Sequence, residues 1–190
     1  YVNYSQEFEK VGLQLGLRAE HTLSEGLLQY RNAQSDSLVK RSYLNWFPSG
    51  GLTYQLNQSN SFALTYSRRI LRPDYQALNP FLYVLNELSF RKGNPFLQPQ
   101  YINNLKLSHT FNYSLTTSIS YSYINDFFAQ VTDTLDERRG FITRLNVADQ
   151  RIISLNVSYP FKLAKWWEVY LNVNGYHSAY IANNPAFTPL

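Results

Sequence analysis

The sequence contains no cysteine and no methionine. The lack of cysteine excludes a disulfide scaffold and thiolate metal sites, although it leaves the cellular compartment undecided. Tyr1 is not a start residue, and no charged segment followed by an apolar stretch marks a targeting signal. We therefore expect that processing or truncation removed the original N-terminus. No run of about 18 apolar residues occurs, which excludes a transmembrane helix.

The composition combines many aromatic residues with a low mean hydropathy. Aromatic residues make up 16% of the chain, yet its mean hydropathy is −0.35 because Ser, Asn, Thr and Gln dominate the rest. A transmembrane strand needs only about 10 residues, of which every second one is apolar. A hydrophilic average is therefore compatible with a protein that crosses a membrane by strands. The length of 190 residues predicts a single domain over residues 1–190.

Period-two alternation of apolar and polar residues is the dominant pattern. Helical spacing would mix charged and apolar residues on one face of these segments, so alternation indicates strands. We count roughly seven strands, or eight if residues 1–4 end an earlier one. The alternating segments lie near residues 11–19, 52–56, 62–66, 105–111, 115–131, 141–159 and 167–173.

The connections between these strands alternate in length. Short links near residues 57–61, 112–114 and 160–165 alternate with longer ones at 22–39 and 71–100. Outer-membrane barrels have short periplasmic turns and long extracellular loops. The fold prediction is therefore all-β: a segment of an antiparallel transmembrane β-barrel with seven or eight long strands. A soluble β-sandwich is the alternative, although sandwiches do not usually need strands of about 15–20 residues.

Aromatic residues lie near several predicted strand ends. Trp46-Phe47, Tyr159, Trp166 and Trp167 occupy such positions, and aromatic girdles of barrels meet the lipid headgroups at strand ends. The alternative interpretation is core packing in a soluble sheet.

One long segment resembles a known family. Residues 66–81 read YSRRILRPDYQALNPF, and residues 93–99 read GNPFLQP. Both resemble the barrel region of TonB-dependent outer-membrane receptors of the Bacteroidota type, the outer membrane protein β-barrel family. Supporting matches are Gly16-Leu17-Arg18 with Glu20 and Thr22, and Phe47-Pro48-Ser49.

The resemblance implies a bacterial outer-membrane location and a barrel of about twenty-two strands with an N-terminal plug domain. The chain would then be part of a larger barrel. The partners implied are outer-membrane lipid and lipopolysaccharide, and the plug domain and TonB through the missing part of the parent protein. A surface lipoprotein is a further partner considered. No cofactor is implied.

The central motif also has a physical interpretation. Proline lacks an amide donor and stiffens the backbone, so the motif prolines should end a strand and rigidify a loop. Gly93-Asn94 supports a tight turn. The residues assigned to this structural loop motif are Pro73, Asn79, Pro80, Gly93, Asn94, Pro95 and Pro99.

Three arginines lie close together in the sequence where the motif strand should leave the membrane: Arg68, Arg69 and Arg72. Together with Tyr75 they are the candidate ligand-binding residues, because guanidinium binds phosphate or another anion bidentately. The alternative is that they pair with carboxylates or loop carbonyls and hold the loop. We favour this structural interpretation, because a structural role explains a motif shared by receptors with different cargo better than a role in ligand selection does.

The sequence offers no pattern for catalysis, metal or nucleic acid. The three histidines are isolated, no Gly-x-Ser-x-Gly turn or phosphate-binding glycine loop occurs, and most aromatics follow the apolar parity. TonB-dependent uptake of a solute is the first functional hypothesis, and a non-transporting surface or scaffold barrel is the second. The third is a barrel enzyme with an outer-rim cluster drawn from Asp74, Asp126, Asp136, Glu137 and His177.

Overall fold

A computed structural model describes residues 1–28 and 37–182. These residues form ten strands and one short helix: β1 (Val2–Glu7), β2 (Val11–Leu28), β3 (Ser37–Asn57), β4 (Asn60–Leu71), α1 (Tyr75–Leu78), β5 (Leu82–Val84), β6 (Ser89–Lys92), β7 (Gln100–Phe111), β8 (Leu115–Thr134), β9 (Gly140–Ala164) and β10 (Trp167–Ala182). In the ranges described, no helix is long and apolar enough to span a membrane.

The strands form one sheet, in which each long strand pairs antiparallel with its neighbour. The wall runs in the order β1-β2-β3-β4-β7-β8-β9-β10. The remaining strands, β5 and β6, form a small hairpin in the connection between β4 and β7, and β6 pairs in parallel with the first residues of β9. Among the described residues, β1 and β10 each pair on one side only.

The all-β class is confirmed, but several details of the sequence prediction are wrong. The strand count is ten rather than seven or eight, because of the hairpin β5–β6. The irregular stretch at 71–100 contains this hairpin and α1. The long link at 22–39 is mostly strand, since β2 continues to Leu28 and β3 begins at Ser37; its central residues 29–36 lie outside the described ranges.

The β3–β4 and β7–β8 turns are where the sequence placed them, whereas the link predicted at 160–165 is wrong, because β9 continues to Ala164 and the β9–β10 turn lies at 165–166. The β3–β4 turn is closed by the Asn57 side chain, whose oxygen accepts hydrogen bonds from the amides of Ser59 and Asn60 at 3.0 and 2.9 Å. In the β7–β8 turn, Asn112 and Tyr113 adopt positive φ angles of 49° and 56°. Two such residues match the twist of a two-strand hairpin, and asparagine tolerates this conformation well.

Alternation divides the sheet into two chemically different faces. We call apolar face the side that carries Leu64, Leu107, Ile119 and Leu155, which lie side by side across four strands. These four side chains are 41–54% exposed, so no other part of the described chain covers them. The polar face is the opposite side. On the polar face, the row of paired residues adjacent to Leu64 and its neighbours consists of Ala63, Ser108, Ser118, Asn156 and Asn174.

The polar face has its own hydrogen bonds, for example between the hydroxyls of Ser120 and Ser154 at 2.6 Å. The described residues bury only four apolar side chains almost completely: Phe47, Ala77, Leu97 and Ala148. A soluble sandwich would bury one face of each sheet in a core. The sheet therefore has the chemistry of a barrel wall with lipid on its apolar face and water on its polar face.

The aromatic residues near the strand ends belong to both faces. Trp46 lies on the apolar face and is 53% exposed, as expected for a girdle. Its neighbour Phe47 was expected to join this girdle, but it points to the polar face, is 4% exposed and lies 4.8 Å below the Arg18 guanidinium. At the short-turn end, Trp166 stacks on Trp167 with ring centroids 5.9 Å apart.

The assignment of the two faces can be tested with adjacent residues of β7 in the full-length protein. Leu107→Arg should destabilise the folded protein by about 2–4 kcal/mol, because it places a cation in the middle of the lipid-facing band. Ser108→Arg, on the polar face, is the matched control and should cost much less. Denaturant unfolding in lipid vesicles measures both, and equal penalties would contradict the assignment.

Candidate functional site

The connection between β4 and β7, residues 72–99, is the most elaborate part of the molecule, and we call it the rim loop. It begins after Leu71 and ends before Gln100, at the end of the sheet opposite the short turns. Its helix α1 begins at Asp74, whose carboxylate accepts a hydrogen bond from the Ala77 amide at 2.7 Å. Leu97 is completely buried although it belongs to a connection. The rim loop is therefore a packed element.

Gly93 allows the two halves of the rim loop to approach each other. Its amide donates to the carbonyl of Asn79 at 2.8 Å, and the next amide, of Asn94, donates to the carbonyl of Ala77 at 2.6 Å. A Cβ atom at position 93 would lie 2.6 Å from the Gln76 carbonyl oxygen and closer still to that of Asn79. Since both are backbone atoms, only glycine fits here.

The other residues of the structural loop motif all lie in the rim loop. The Asn79 side chain accepts from the Phe81 amide and donates to the Tyr83 hydroxyl, both at 3.1 Å. The Asn94 side chain accepts from the Phe96 amide at 2.9 Å. Pro73 follows β4, Pro80 follows α1, Pro95 follows the Gly93-Asn94 step, and Pro99 is buried directly before β7.

Side chains from two distant strands fasten the end of the rim loop across the polar face. Arg41 on β3 donates to the carbonyl of Leu97 at 2.7 Å and also to that of Pro95. On β9, the Asn146 side chain accepts from the Gln98 amide at 2.9 Å and donates to its carbonyl at 3.2 Å. We call Arg41 and Asn146 the clasp. Sequence reasoning missed both, because they lie 48–56 residues from the groups they bind.

Two ion pairs connect the start of the rim loop to the wall. Arg72 donates to Glu20 on β2 at 2.7 Å, and Arg18 also pairs with Glu20 at 3.1 Å. The hydrogen bond to Glu20 raises the pKa of Arg72 above its ordinary value. Asp74 pairs with Arg144 on β9 at 2.9 Å. The hydrogen bond from the Ala77 amide, followed by that from Arg144, lowers the pKa of Asp74 below its ordinary value.

The candidate ligand-binding residues do not form one cluster. Arg68 lies on the apolar face, with its guanidinium 5.2 Å from the centre of the Tyr101 ring. Arg69, the next residue, lies on the polar face and is exposed. Arg72 is paired with Glu20, and Tyr75 is 77% exposed on α1. Their role in binding stays a prediction.

A small open cavity of about 120 Å³ lies between the rim loop and the strands β8 and β9. Three cationic side chains and one carboxylate contribute to its lining, so a positive balance faces an entering molecule. Its polar lining residues include Asp74, Gln76, Arg91, Lys92, Gln130 and Arg144. Sequence reasoning did not group these residues, because the positions come from three separate elements.

Two of the acidic rim residues considered for catalysis, Asp74 and Asp136, have structural partners. Asp74 pairs with Arg144, and Asp136 pairs with Arg139 at 2.5 Å within the β8–β9 connection. His177 lies opposite Ile153 and hence on the apolar face. In the parts of the chain that the structure describes, no group of three or more His, Cys, Asp or Glu side chains is arranged to hold a metal.

The two faces, the alternation of short turns with a long packed connection, and the rim loop define a transmembrane β-barrel wall of the bacterial outer membrane. The family model of the outer membrane protein beta-barrel family matches residues 1–188, so the chain belongs to this family. The apolar face therefore meets lipid, and the rim loop lies at the outer end of the wall. No curated protein matches the chain.

Solved structures with a similar fold are receptors and transporters. The copper transporter OprC is 13% identical with a TM-score of 0.69, covering 94% of this chain and 28% of its own. The siderophore receptor PirA from Pseudomonas aeruginosa is 13% identical, with a TM-score of 0.63 and coverages of 90% and 35%.

The Serratia marcescens hemophore receptor HasR is 14% identical with a TM-score of 0.64, covering 92% of this chain and 33% of its own. The chain thus spans about a third or less of the length of these proteins. At such identities the likeness concerns the fold alone.

Loss of the clasp should loosen the rim loop. In the full-length protein, Arg41→Gln should reduce the hydrogen-exchange protection of the Leu97 and Gln98 amides about 10- to 100-fold, because charged hydrogen bonds to the loop carbonyls are lost. Lys40→Gln is the matched control, since Lys40 pairs with the exposed Glu25 and not with the rim loop in the described ranges. Unchanged protection in Arg41→Gln would show that Arg41 does not hold the loop.

The start of the rim loop should depend on pH through Asp74. The folded-state pKa of Asp74 is lowered, so its carboxylate stabilises the loop above the ordinary value of 3.8, and this contribution is lost as the pH falls through the lowered value. Protection of the Ala77 amide, corrected for intrinsic exchange, should fall modestly as the pH drops below 3.8 and through the lowered pKa of Asp74. Asp74→Asn retains the acceptor without the charge and should show no such step, whereas a step of equal size would exclude Asp74 as its source.

Proposed function

We propose that the chain forms part of the wall and outer rim of a barrel that takes up a solute through the outer membrane, with energy supplied by TonB. The observation that carries the proposal is the rim loop, which folds inward and is clasped across the polar face by β3 and β9. A loop in this position narrows the outer entrance and presents side chains to whatever enters. A closed scaffold barrel has no need of such an arrangement.

The wall requires neighbours to close. Backbone groups at an unpaired strand edge are not tolerated in lipid, and the described β1 and β10 each lack a neighbour on one side. We therefore propose that residues 1–190 are one segment of a larger barrel domain, with the plug domain supplied by other parts of the parent protein. The chain matches only about a third or less of each of the three similar structures, which supports this proposal.

The rim cavity is the proposed contact for an anionic group of the cargo. Arg91 and Lys92 come from β6 and face the same space as Arg144. Arg144 is already paired with Asp74, so the two cations of β6 are the ones available to a ligand. Arg69, on the polar face of β4, and Tyr75, on α1, are exposed and are proposed as secondary contacts.

A non-transporting scaffold barrel is the second candidate. It is favoured by the ion pairs that fix the rim loop to the wall, Arg72–Glu20 and Asp74–Arg144, because a loop held at both of these points suits a permanent surface. In this case a surface lipoprotein would be the natural partner of the exposed rim.

Binding of TonB separates the two candidates. The full-length protein, purified in detergent, should bind the periplasmic C-terminal domain of TonB from the same organism in a biolayer interferometry measurement. Cells lacking TonB should then fail to deplete the same solutes from a defined medium as cells lacking the parent protein, as measured by mass spectrometry. Absence of TonB binding, with unchanged depletion, would reject transport and favour the scaffold.

The cargo contact can be tested separately. Arg91→Gln combined with Lys92→Gln should raise the solute concentration for half-maximal uptake about 10-fold or more, since two charge-assisted contacts are removed. TonB binding should stay unchanged. Arg138→Gln, in the exposed β8–β9 connection, is the matched control. An equal effect of the control would indicate nonspecific attraction by surface charge.

A further inference from the structure

The neighbouring strands β3 and β4 separate in their outer parts. They pair from their short turn up to Ser49 and Ser67, where the pairing stops. Beyond this point, in the described ranges, β4 runs beside β7 and β3 runs beside β2, but they no longer pair with each other. We call the gap between residues 40–48 of β3 and residues 68–71 of β4 the outer cleft.

The outer cleft begins at the outer margin of the lipid-facing band. Pro48 precedes Asn57, the short-turn end of β3, by nine residues. At ~3.3 Å per residue and a tilt of ~40°, it therefore lies ~23 Å above that end along the membrane normal. The apolar band of an outer-membrane barrel is ~25 Å tall, and the girdle residue Trp46 lies two positions further out. Unpaired backbone groups beyond Pro48 thus meet water, where they are tolerated.

The hydrogen bonds of β3 show which of its backbone groups face the cleft. Near the short turns, the Gln55 amide donates to the carbonyl of Lys10, on the β2 side, at 2.8 Å. In a strand between two antiparallel neighbours, alternate residues bond to opposite sides, and the register of β3 with β2 is unbroken from Tyr54 to Ser37. The odd-numbered residues of β3 therefore bond to β2, and the even-numbered ones direct their amides and carbonyls toward β4.

The edge of β3 along the outer cleft is free. Pro48 occupies an even position and has no amide to donate, which explains why the ladder to β4 ends there. Four residues further out present their amides and carbonyls to the cleft: Trp46, Leu44, Ser42 and Lys40. In the part of the chain that the structure describes, these groups have no backbone partner across the cleft. An unpaired edge of this kind is a template for another extended chain.

Side chains make the contacts that cross the cleft. Arg41 donates to the carbonyls of Leu97 and Pro95 at the end of the rim loop. Arg72, at the start of this loop, pairs with Glu20 on β2. Between β3 and the end of the rim loop lies an open cavity of about 360 Å³, a volume in the range of ligand sites. Its lining includes Lys40, Arg41, Tyr43, Gln98, Tyr101 and Asp126.

The charges around the cleft favour an acidic ligand. Arg41 and Arg68, the first residue of β4 beyond its last pair with β3, supply two cations. The Arg68 guanidinium lies 5.2 Å from the centre of the Tyr101 ring, and its Nε atom is buried without a hydrogen-bond partner. Such a buried donor calls for an acceptor. Asp126 in the cavity lining offsets one positive charge, and Lys40 is held in an ion pair, so an excess of positive charge remains.

We propose that the outer cleft binds an extended acidic peptide, which adds as a strand to the free edge of β3. A peptide main chain offers donors and acceptors at the spacing of this edge, and strand addition is an established mode of peptide recognition. Arg41 uses two of its N–H donors for the rim loop and keeps the others. Arg41 and Arg68 can therefore pair with peptide carboxylates. Binding at this edge does not depend on uptake through the barrel.

The test measures peptide binding to the full-length protein in detergent by fluorescence anisotropy. The probe is a fluorescein-labelled peptide of alternating valine and glutamate, about nine residues long to match residues 40–48, and its binding should be saturable. The same peptide with every amide N-methylated keeps its side chains and charge but cannot donate to a strand edge, so it should not bind. Equal binding of the two peptides would overturn the proposal, because charge alone would then explain the attraction.

Leu44→Pro tests the edge on the protein side. Proline removes an amide that faces the cleft and leaves the hydrogen bonds to β2 in place, so the dissociation constant of the peptide should rise about 5- to 10-fold. Leu44→Ala is the matched control, because it loses the same side chain but keeps the amide, and it should bind as the unaltered protein does. Unchanged binding by Leu44→Pro would exclude edge pairing. If this variant fails to form a heat-resistant species on a gel, the N-methylated peptide still decides.

Two further measurements test the charge and the occupant of the edge. Arg68→Gln should weaken binding about 5- to 10-fold, whereas Lys106→Gln, on the polar face of β7, should leave it unchanged. Equal binding of a peptide of alternating valine and lysine would overturn the preference for an acidic ligand. Light scattering should show a monomer, and a dimer that excludes the peptide would assign the edge to a second copy of the chain.

Discussion

Backbone hydrogen bonding between neighbouring strands is the constraint on which the rest of the structure depends. In hydrocarbon no water can pair with an amide or a carbonyl, so every wall residue must bond to the next strand. This requirement keeps the chain extended through β9, the longest strand with 25 residues. Extended strands then send alternate side chains to opposite faces. The apolar and polar faces follow from this geometry, because one side of the wall meets lipid and the other meets water.

In the rim loop, side-chain donors take the place of neighbouring strands in hydrogen bonding to backbone carbonyls. Outside the hairpin β5–β6, its backbone leaves the sheet and therefore loses the ladder of the strands, yet the loop is packed tightly enough to bury Leu97 completely. The carbonyls of this segment receive side-chain donors instead, from Arg41 on one side and Asn146 on the other. Because β3 and β9 are separated in the sheet by β4, β7 and β8, the clasp ties together parts of the wall that the strand ladder connects only indirectly.

The sequence predicts the features that depend on local spacing and fails where partners are distant. Alternation placed Leu107 and Ile119 on the apolar side without any tertiary information, because a period of two needs only neighbouring residues. It did not reveal that β2 continues through Ser24-Glu25-Gly26 to Leu28. Above the membrane both faces of a strand meet water. The strand keeps its hydrogen bonds, but its side chains no longer alternate between apolar and polar. The clasp could not be predicted for a simpler reason: nothing near Arg41 in the sequence indicates a contact with Leu97.

The three arginines of the motif show how strongly the face of a strand decides the role of a residue. They were grouped because they are close in sequence, although strict alternation already separates Arg68 from Arg69. Arg68 lies against the Tyr101 ring on the apolar face, Arg69 is exposed on the polar face, and Arg72, beyond the strand end, is free of the alternation and pairs with Glu20. Each guanidinium has the same chemistry, but the dielectric and the anions within reach differ. A motif of identical residues can therefore combine an architectural ion pair with contacts to two different solvents.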